Sequence, residues 1–438
     1  MGKFKIGQRL SGALAALALL SAAGLASCSS DEGGGGGAGD GSSAEGTTLT
    51  VWVSRKHYVP KDQFKTFMAD HPGVTVKFDI KDTDDIMEQL LRMKDAGQPL
   101  PDVIHDEGIL IPTYYQAGLI QPLNPIKDAW EKDNPDSYSK LLPAVWNTTE
   151  RDGNYLGFNI AANFDIYWYN IPWFKEAGIQ LPLNTLEDVY QASVKLKAVH
   201  PDRYPMSVQA LAGEGVTSLK TMLLAVGTPF DGATPDLTSP GGQYVIKWYQ
   251  RMVAEELISP EVVTYGEAEA RGAFMSQNAA FIQDGLNSGE DYGTVDGFKY
   301  GEQFGSTLIP KDSGTGLKGV AVSPSRTFAV TSDSKNLELD GQLLQYLAEP
   351  VNLMSTIEQG SLPTRQTDTL KDPLMQKLYP WFTPEIEKAW QDAKGSPSAD
   401  NSGEVEAVLE QMFGEIVTGK GGDSVELAKK YQDQLNGL

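Results

Sequence analysis

Residues 49–81 read LTVWVSRKHYVPKDQFKTFMADHPGVTVKFDIK. Leu49, Val51 and Val53 alternate with Thr50, Trp52 and Ser54, which predicts a strand. After Pro60, residues Phe64, Phe67 and Met68 fall at helical spacing. Val74, Val76, Phe78 and Ile80 then alternate as a second strand. Ile86, Leu90, Leu91 and Met93 predict an amphipathic helix capped by Asp82 or Thr83, and Pro101-Asp-Val-Ile104 a short buried strand. Strand, helix, strand, helix, strand at these lengths implies parallel pairing with helices on both faces. The opening region is α/β.

Further along, Ile160–Tyr169 reads as one more strand, rich in aromatic and β-branched residues. Asn170 and Pro172 open a helix that Gly178 closes. Thr185 followed by Asp188 has the form of a capping box, with Val189, Ala192, Ser193 and Leu196 on one helical face. Val245–Val253 and Val405–Val417 are helical, Ser424 caps a last helix through Leu427, Tyr431 and Leu435, and Phe328-Ala-Val330 is strand-like. The polar segment Gly395–Gly403 reads as a loop, and no internal repeat is evident.

The N-terminus says where this body sits. Lys3, Lys5 and Arg9 precede an apolar run from Leu10 to Leu25, too short for a comfortable membrane span and typical of an export signal. The run ends in Leu25-Ala-Ser-Cys28, which resembles a bacterial lipobox, so residues 1–27 read as a lipoprotein signal peptide and Cys28 as the lipidated residue. Gly- and Ser-rich residues 28–46 cannot pack and form a slack tether.

Composition narrows the function. With 438 residues, two or three domains are expected. One Cys excludes a disulfide framework and a Cys-based zinc site, and four scattered His residues (His57, His71, His105, His200) argue against a metal centre. A net charge of −22 argues against nucleic acid or an anionic bilayer as the main partner.

Five ordered stretches carry a family likeness: Leu49–Val53; Pro101–Ile104 with Gln116–Leu123; Trp168-Tyr-Asn170 with Phe174–Ile179 and Thr185–Asp188; Phe274–Gly285; and Leu362-Pro-Thr-Arg365. In this order they resemble the extracellular solute-binding proteins of ABC importers, specifically the sugar-binding branch that includes maltose-binding protein. The resemblance implies a two-lobed periplasmic-binding-protein fold of the second type, with crossing strands between lobes and solute held in the cleft. The expected division is 47–160 plus about 318–375 for the N-terminal lobe, and about 161–317 plus about 376–438 for the C-terminal lobe. The resemblance further implies a carbohydrate ligand, membrane permease subunits as partners, membrane attachment through the N-terminal lipid alone, a monomer, and no cofactor or catalysis.

A sugar site needs aromatic platforms with carboxylates, amides and Arg as hydrogen-bond partners. Loops following strands are where a doubly wound sheet places ligands. The first such loop offers Trp52, Arg55 and His57, against the reading of Arg55 as a solvated charge. After Ile104 come Asp106 and Glu107, which donate carboxylates in the family or cap a helix. Asn163 and Asp165 lie where the family's chain first crosses between lobes, at a position that is often Glu in relatives. Glu214 sits in a Gly-Glu-Gly turn and is equally suited to capping. Asp284 ends FMSQNAAFIQDG; Leu286 and Asn287 follow it where relatives often carry Trp. Arg326 either grips ligand or pairs with an acid, and Trp381 is the favoured stacking platform, with core packing as the alternative.

Two rivals remain. The chain has no Gly-x-Ser-x-Gly elbow, Walker loop or His-Glu-x-x-His, and Gly314–Gly319 matches G-x-G-x-x-G without the strand–helix context, so a carbohydrate-active enzyme has little support. A polyamine would suit Asp106, Glu107, Asp165 and Asp284 but would be repelled by Arg55, Lys56 and Arg326; a uronate would use those bases.

Overall fold

The computed structural model describes residues 46–438 apart from 55–60, 82, 143, 148, 324, 350–351, 353–361, 366–372 and 400. Cys28, the signal segment, most of the tether, Arg55 and His57 therefore lie outside the described residues.

Ten strands in chain order build two sheets. They are β1 (Thr47–Ser54), β2 (Val74–Lys81), β3 (Val103–Glu107), β4 (Phe158–Ala162), β5 (Asp165–Asn170), β6 (Met206–Ser207), β7 (Phe281–Gly285), β8 (Phe304–Leu308), β9 (Ser325–Val330) and β10 (Leu362–Pro363). The larger sheet has the order β10-β4-β9-β3-β1-β2 and the smaller β8-β5-β7-β6. β1 pairs in parallel with both β2 and β3, as the opening sequence predicts. Leu49, Val51 and Val53 pack with Phe64 and Phe67 on one face, while Ile104 packs with Ile86 and Leu90 on the other. The period-2 alternation thus separates two apolar layers, each covered by one of the two early helices, Lys61–Asp70 and Thr83–Asp95.

The smaller sheet is likewise two-faced. Tyr167 and Phe281 join one cluster with the helices Val216–Ala225, Pro240–Ala254, Ser402–Val417 and Ser424–Leu435. Ile166, Trp168, Ile282 and Phe304 join another with Phe274 and Trp381. The chain leaves the larger sheet at Asn163-Phe164, returns between Leu308 and Ser325, and leaves again after Pro363 to end in helices packed on the smaller sheet.

Two expectations change. Residues 160–169 are not one strand: β4 pairs with β9 and β10, whereas β5 pairs with β7 and β8. The local pattern is continuous, but the partners belong to different sheets, and the two residues between them carry the chain across. The last helix is capped by Asp423 rather than Ser424. The Asp423 carboxylate accepts from the Val425 and Glu426 N–H groups at 2.9 and 3.1 Å, a reach available one residue before the first turn. Other helix signals hold: Thr185 and Asp188 form the capping box, and Asn170 accepts from the Trp173 N–H.

Candidate functional site

The strand pairing brings several candidates to facing sheet ends. β1 and β3 are parallel and finish at Ser54 and Glu107, while antiparallel β9 begins beside them with Arg326 opposite Glu107. In the smaller sheet, β5 begins at Asp165 opposite Gly285, where β7 ends. Asn163-Phe164 joins these two edges within a few residues.

On the first edge, Asp106 is fully buried. It accepts from the Tyr114 hydroxyl at 2.5 Å and from the Glu107 N–H at 2.8 Å. Burial pushes its carboxyl up to about 6, with these hydrogen bonds opposing the rise. Glu107 and Arg326 form a cross-strand ion pair with both side chains part-exposed. On the second edge, the Asp165 carboxyl accepts from Gln283 Nε2 at 3.0 Å and Thr221 Oγ1 at 3.2 Å. Desolvation raises it to about 6. It lies in a small pocket lined also by Phe164, Thr221, Leu308, Lys311 and Ala321, at which the first two passages between sheets meet. Asn163 donates to Asn287 Oδ1 at 2.7 Å and accepts from the Leu286 N–H at 2.9 Å, tying the first crossing to the loop after β7.

Four candidates occupy other roles. Trp52 is two residues inside the strand end; it packs against the Ile86–Leu90 layer, with the Lys81 ammonium 4.3 Å from its ring centroid. Its alternation phase points it at a helix. Glu214 is exposed and accepts from the Glu267 N–H at 2.8 Å, so it caps the helix Glu267–Met275. Asp284 is buried and saturated: Arg271 donates at 2.7 and 3.3 Å, the Tyr292 hydroxyl at 2.6 Å, and Gln209 and the Gly285 N–H complete it. No acceptor capacity is left for a solute. Trp381 is 4% exposed, with Trp168, Tyr300 and Tyr379 at 5.5–5.6 Å between centroids. A Cβ at Gly289 would lie 2.6 Å from its indole, so the helix Ser288–Gly293 lies directly on it. Trp381 is a core residue, and its ring faces are taken by protein.

The structure also supplies residues that sequence reasoning passed over. Arg271 joins Asp284, Asp291 and Glu267 and donates to Ser288 Oγ at 2.7 Å. Its spacing of four from Glu267 was a visible signal; its pairing with Asp284 was not, because that contact depends on how the helix lies on the sheet. Thr221 and Tyr114 hold candidates in place and carry no sequence motif, while Gln283 lies inside the FMSQNAAFIQDG stretch without having been singled out. Among the described residues, no group of three or more His, Cys, Asp or Glu is placed to hold a metal ion.

Two sheets joined by repeated crossings define the architecture of two-lobed binding proteins. Solved structures share it. A maltose-bound protein of T. maritima covers 90% of this chain and all of its own at 18% identity, with a TM-score of 0.73. The cyclic alpha-maltosyl-1,6-maltose binding protein of Arthrobacter globiformis covers 89% and 98% at 16% identity, TM-score 0.75. A ribitol-bound ABC transporter solute-binding protein of Agrobacterium radiobacter K84 covers 89% and 98% at 17% identity, TM-score 0.70. At these identities the likeness establishes the fold. Over residues 41–354 the sequence matches the bacterial extracellular solute-binding proteins, and the chain belongs to that family. A protein of Brucella abortus (strain 2308), whose name gives it a provisional binding role, is 25% identical over 324 residues, 70% of this chain and 73% of its own. The family is one of binding proteins, in agreement with the resemblance read from the sequence.

Proposed function

We propose that this chain is the lipid-anchored binding component of an ABC importer. It captures a neutral carbohydrate or polyol between the β1–β3–β9 edge and the β5–β7 edge and passes it unchanged to a membrane permease. The observation that carries this reading is the state of the ionisable candidates. Glu107 and Arg326 neutralise one another, Asp284 is neutralised by Arg271, Glu214 caps a helix, and Asp106 and Asp165 are held by neutral hydroxyl and amide donors. Among the described candidates, then, the Glu107–Arg326 pair is neutral overall, and Asp106 and Asp165 are satisfied by hydroxyl and amide donors. Hydroxyl and amide partners of this kind match a ligand whose hydroxyls both donate and accept. The solved relatives that hold maltose and ribitol support the same class.

Binding to both edges at once favours the closed arrangement, because only there are all contacts made, and the ligand shifts the population by that difference in affinity. In this reading the lobes comprise 47–160 with about 318–375, and about 161–317 with about 376–438, while residues 28–46 form the tether from lipidated Cys28.

The test is a thermal-shift screen with maltose, mannitol, ribitol, galacturonate and spermidine. The expected result is a concentration-dependent rise in Tm with one or more neutral ligands, as linkage requires. A rise confined to spermidine or galacturonate overturns the neutral assignment, and conversion of a bound sugar to a new product overturns the transport role. For the anchor, Cys28→Ser should move the protein from the membrane fraction to the soluble exported fraction. Retention in the membrane fraction would count against lipidation.

A further inference from the structure

The smaller sheet has a second end that the cleft does not use. β6 and β7 are parallel, with Met206 opposite Phe281, so both strands start at the edge remote from Asp284 and Gly285. At about 3.3 Å per residue, the start of β7 lies ~13 Å from its cleft end. A pocket opens at this remote edge, lined by Arg203, Tyr204, Met206, Glu261, Val262 and Tyr265 among others.

Met206, Val262 and Ala279 lie buried at its base, beneath a lining that is more polar than apolar. Its rim is polar and of mixed sign. Arg203 donates to Asn278 Oδ1 and lies 3.5 Å from Asp202, which leaves part of its donor fork open. The Tyr265 hydroxyl donates to one Glu261 oxygen at 3.4 Å, leaving the other available. The Tyr204 ring carries the Lys197 ammonium 4.9 Å from its centroid, and its hydroxyl has no protein partner among the described residues. The walls are fixed by backbone hydrogen bonds. The Pro205 carbonyl accepts from the Ala280 and Phe281 N–H groups, and the Tyr265 carbonyl from those of Ala210 and Leu211.

The Arg203–Asp202 pair, the Glu261 carboxylate and a free phenol above Met206 and Val262 set the demand. An anion would face the two rim carboxylates, Asp202 and Glu261, and an apolar ligand would strip water from the rim without replacing its hydrogen bonds. A sugar hydroxyl can donate to Glu261 and accept from Arg203, while the C–H face of the ring lies on Met206 and Val262. We propose that this pocket is a second, weaker carbohydrate site, taking a single neutral sugar ring or short polyol at the pole of the smaller sheet opposite the cleft. It requires no contact with the cleft residues and does not depend on what they bind.

The experiment observes the base directly. Protein labelled with 13C at the methionine methyl groups is titrated with glucose, mannitol and maltose, and the Met206 signal is assigned through Met206→Leu. The expected result is a saturable shift of the Met206 methyl with at least one of these sugars, retained in the cleft double variant Asn163→Ala, Arg326→Ala. Glu261→Ala and the milder Tyr204→Phe should each weaken that response, Glu261→Ala by about tenfold, the effect of losing a charge-assisted hydrogen bond. Three results overturn the site: no Met206 shift up to tens of millimolar sugar, a shift unaffected by both pocket variants, or a shift that vanishes in the cleft variant.

Discussion

Asp284 and Trp381 show how much a residue's neighbours decide. From the sequence, an Asp ending a strand and a Trp in a Tyr-Pro-Trp-Phe segment both suit a sugar. In the structure, Arg271 reaches Asp284 from a helix 13 residues upstream, and Trp168 and Tyr300 reach Trp381 from elements far from it in sequence. Arg271→Ala would leave a buried carboxylate without its counter-charge. It should lower stability by about 3–5 kcal/mol, measured by urea unfolding. Trp381→Ala should likewise lose about 3–5 kcal/mol from the aromatic cluster, with any loss of affinity following from unfolding. A stable Trp381→Ala protein that no longer binds would restore the stacking role. Neither outcome could be reached from the sequence, because both residues are typed by contacts that no local pattern encodes. The position of Arg326, just before the strand around Phe328, was legible from alternation, whereas that of Asn163 came only from the family resemblance.

At the scale of elements, what repeats locally could be read and what closes over distance could not. The helix Leu186–Val199 came from the Thr185–Asp188 box, and β1 to β3 came from their alternation. The break at Asn163-Phe164 escaped because hydrophobic alternation runs straight through it. The return passage is another such case. Gly319 lies so close to the helix Val216–Ala225 that an added Cβ would meet the Leu224 carbonyl oxygen at 1.8 Å and the Gly227 nitrogen at 2.5 Å. That approach lets the Val320 N–H donate to the Leu224 carbonyl at 3.0 Å. Gly227 itself has φ +72, and its Cβ would meet the Lys318 oxygen at 2.3 Å. Gly319→Ala must therefore push the crossing off the helix, at a cost of roughly 1–3 kcal/mol. Because the displaced segment joins the two sheets, ligand affinity should change as well. Calorimetric unfolding and ligand titration of this variant should move together, and a variant unchanged in both would show that the contact is not needed.

For the whole molecule, the buried carboxyls set the pH dependence. Asp340, in the first turn of the helix Leu337–Leu347, is fully buried and accepts from Ser334 Oγ at 2.6 Å. Desolvation, reinforced by Asp102, pushes it up to about 7, above Asp106 and Asp165 at about 6. In the unfolded chain each would titrate near 3.9, so across the interval between these values the native state holds protons that the unfolded state has lost. The native state is favoured by this difference fully below about pH 4, and the advantage drains away as pH rises through 6 and then 7. The net charge of −22 acts in the same direction, since like charges crowd further as remaining acids ionise. Tm should therefore fall between about pH 4 and pH 7, opposite to a protein stabilised mainly by salt-bridged carboxylates. Asp340→Asn preserves an acceptor for Ser334 and removes the largest of these terms. Scanning calorimetry should find its Tm raised by a few degrees at about pH 8 and a shallower slope between the two pH values. A wild-type Tm that climbs over this range would mean that the buried acids are ionised at little cost in the folded chain.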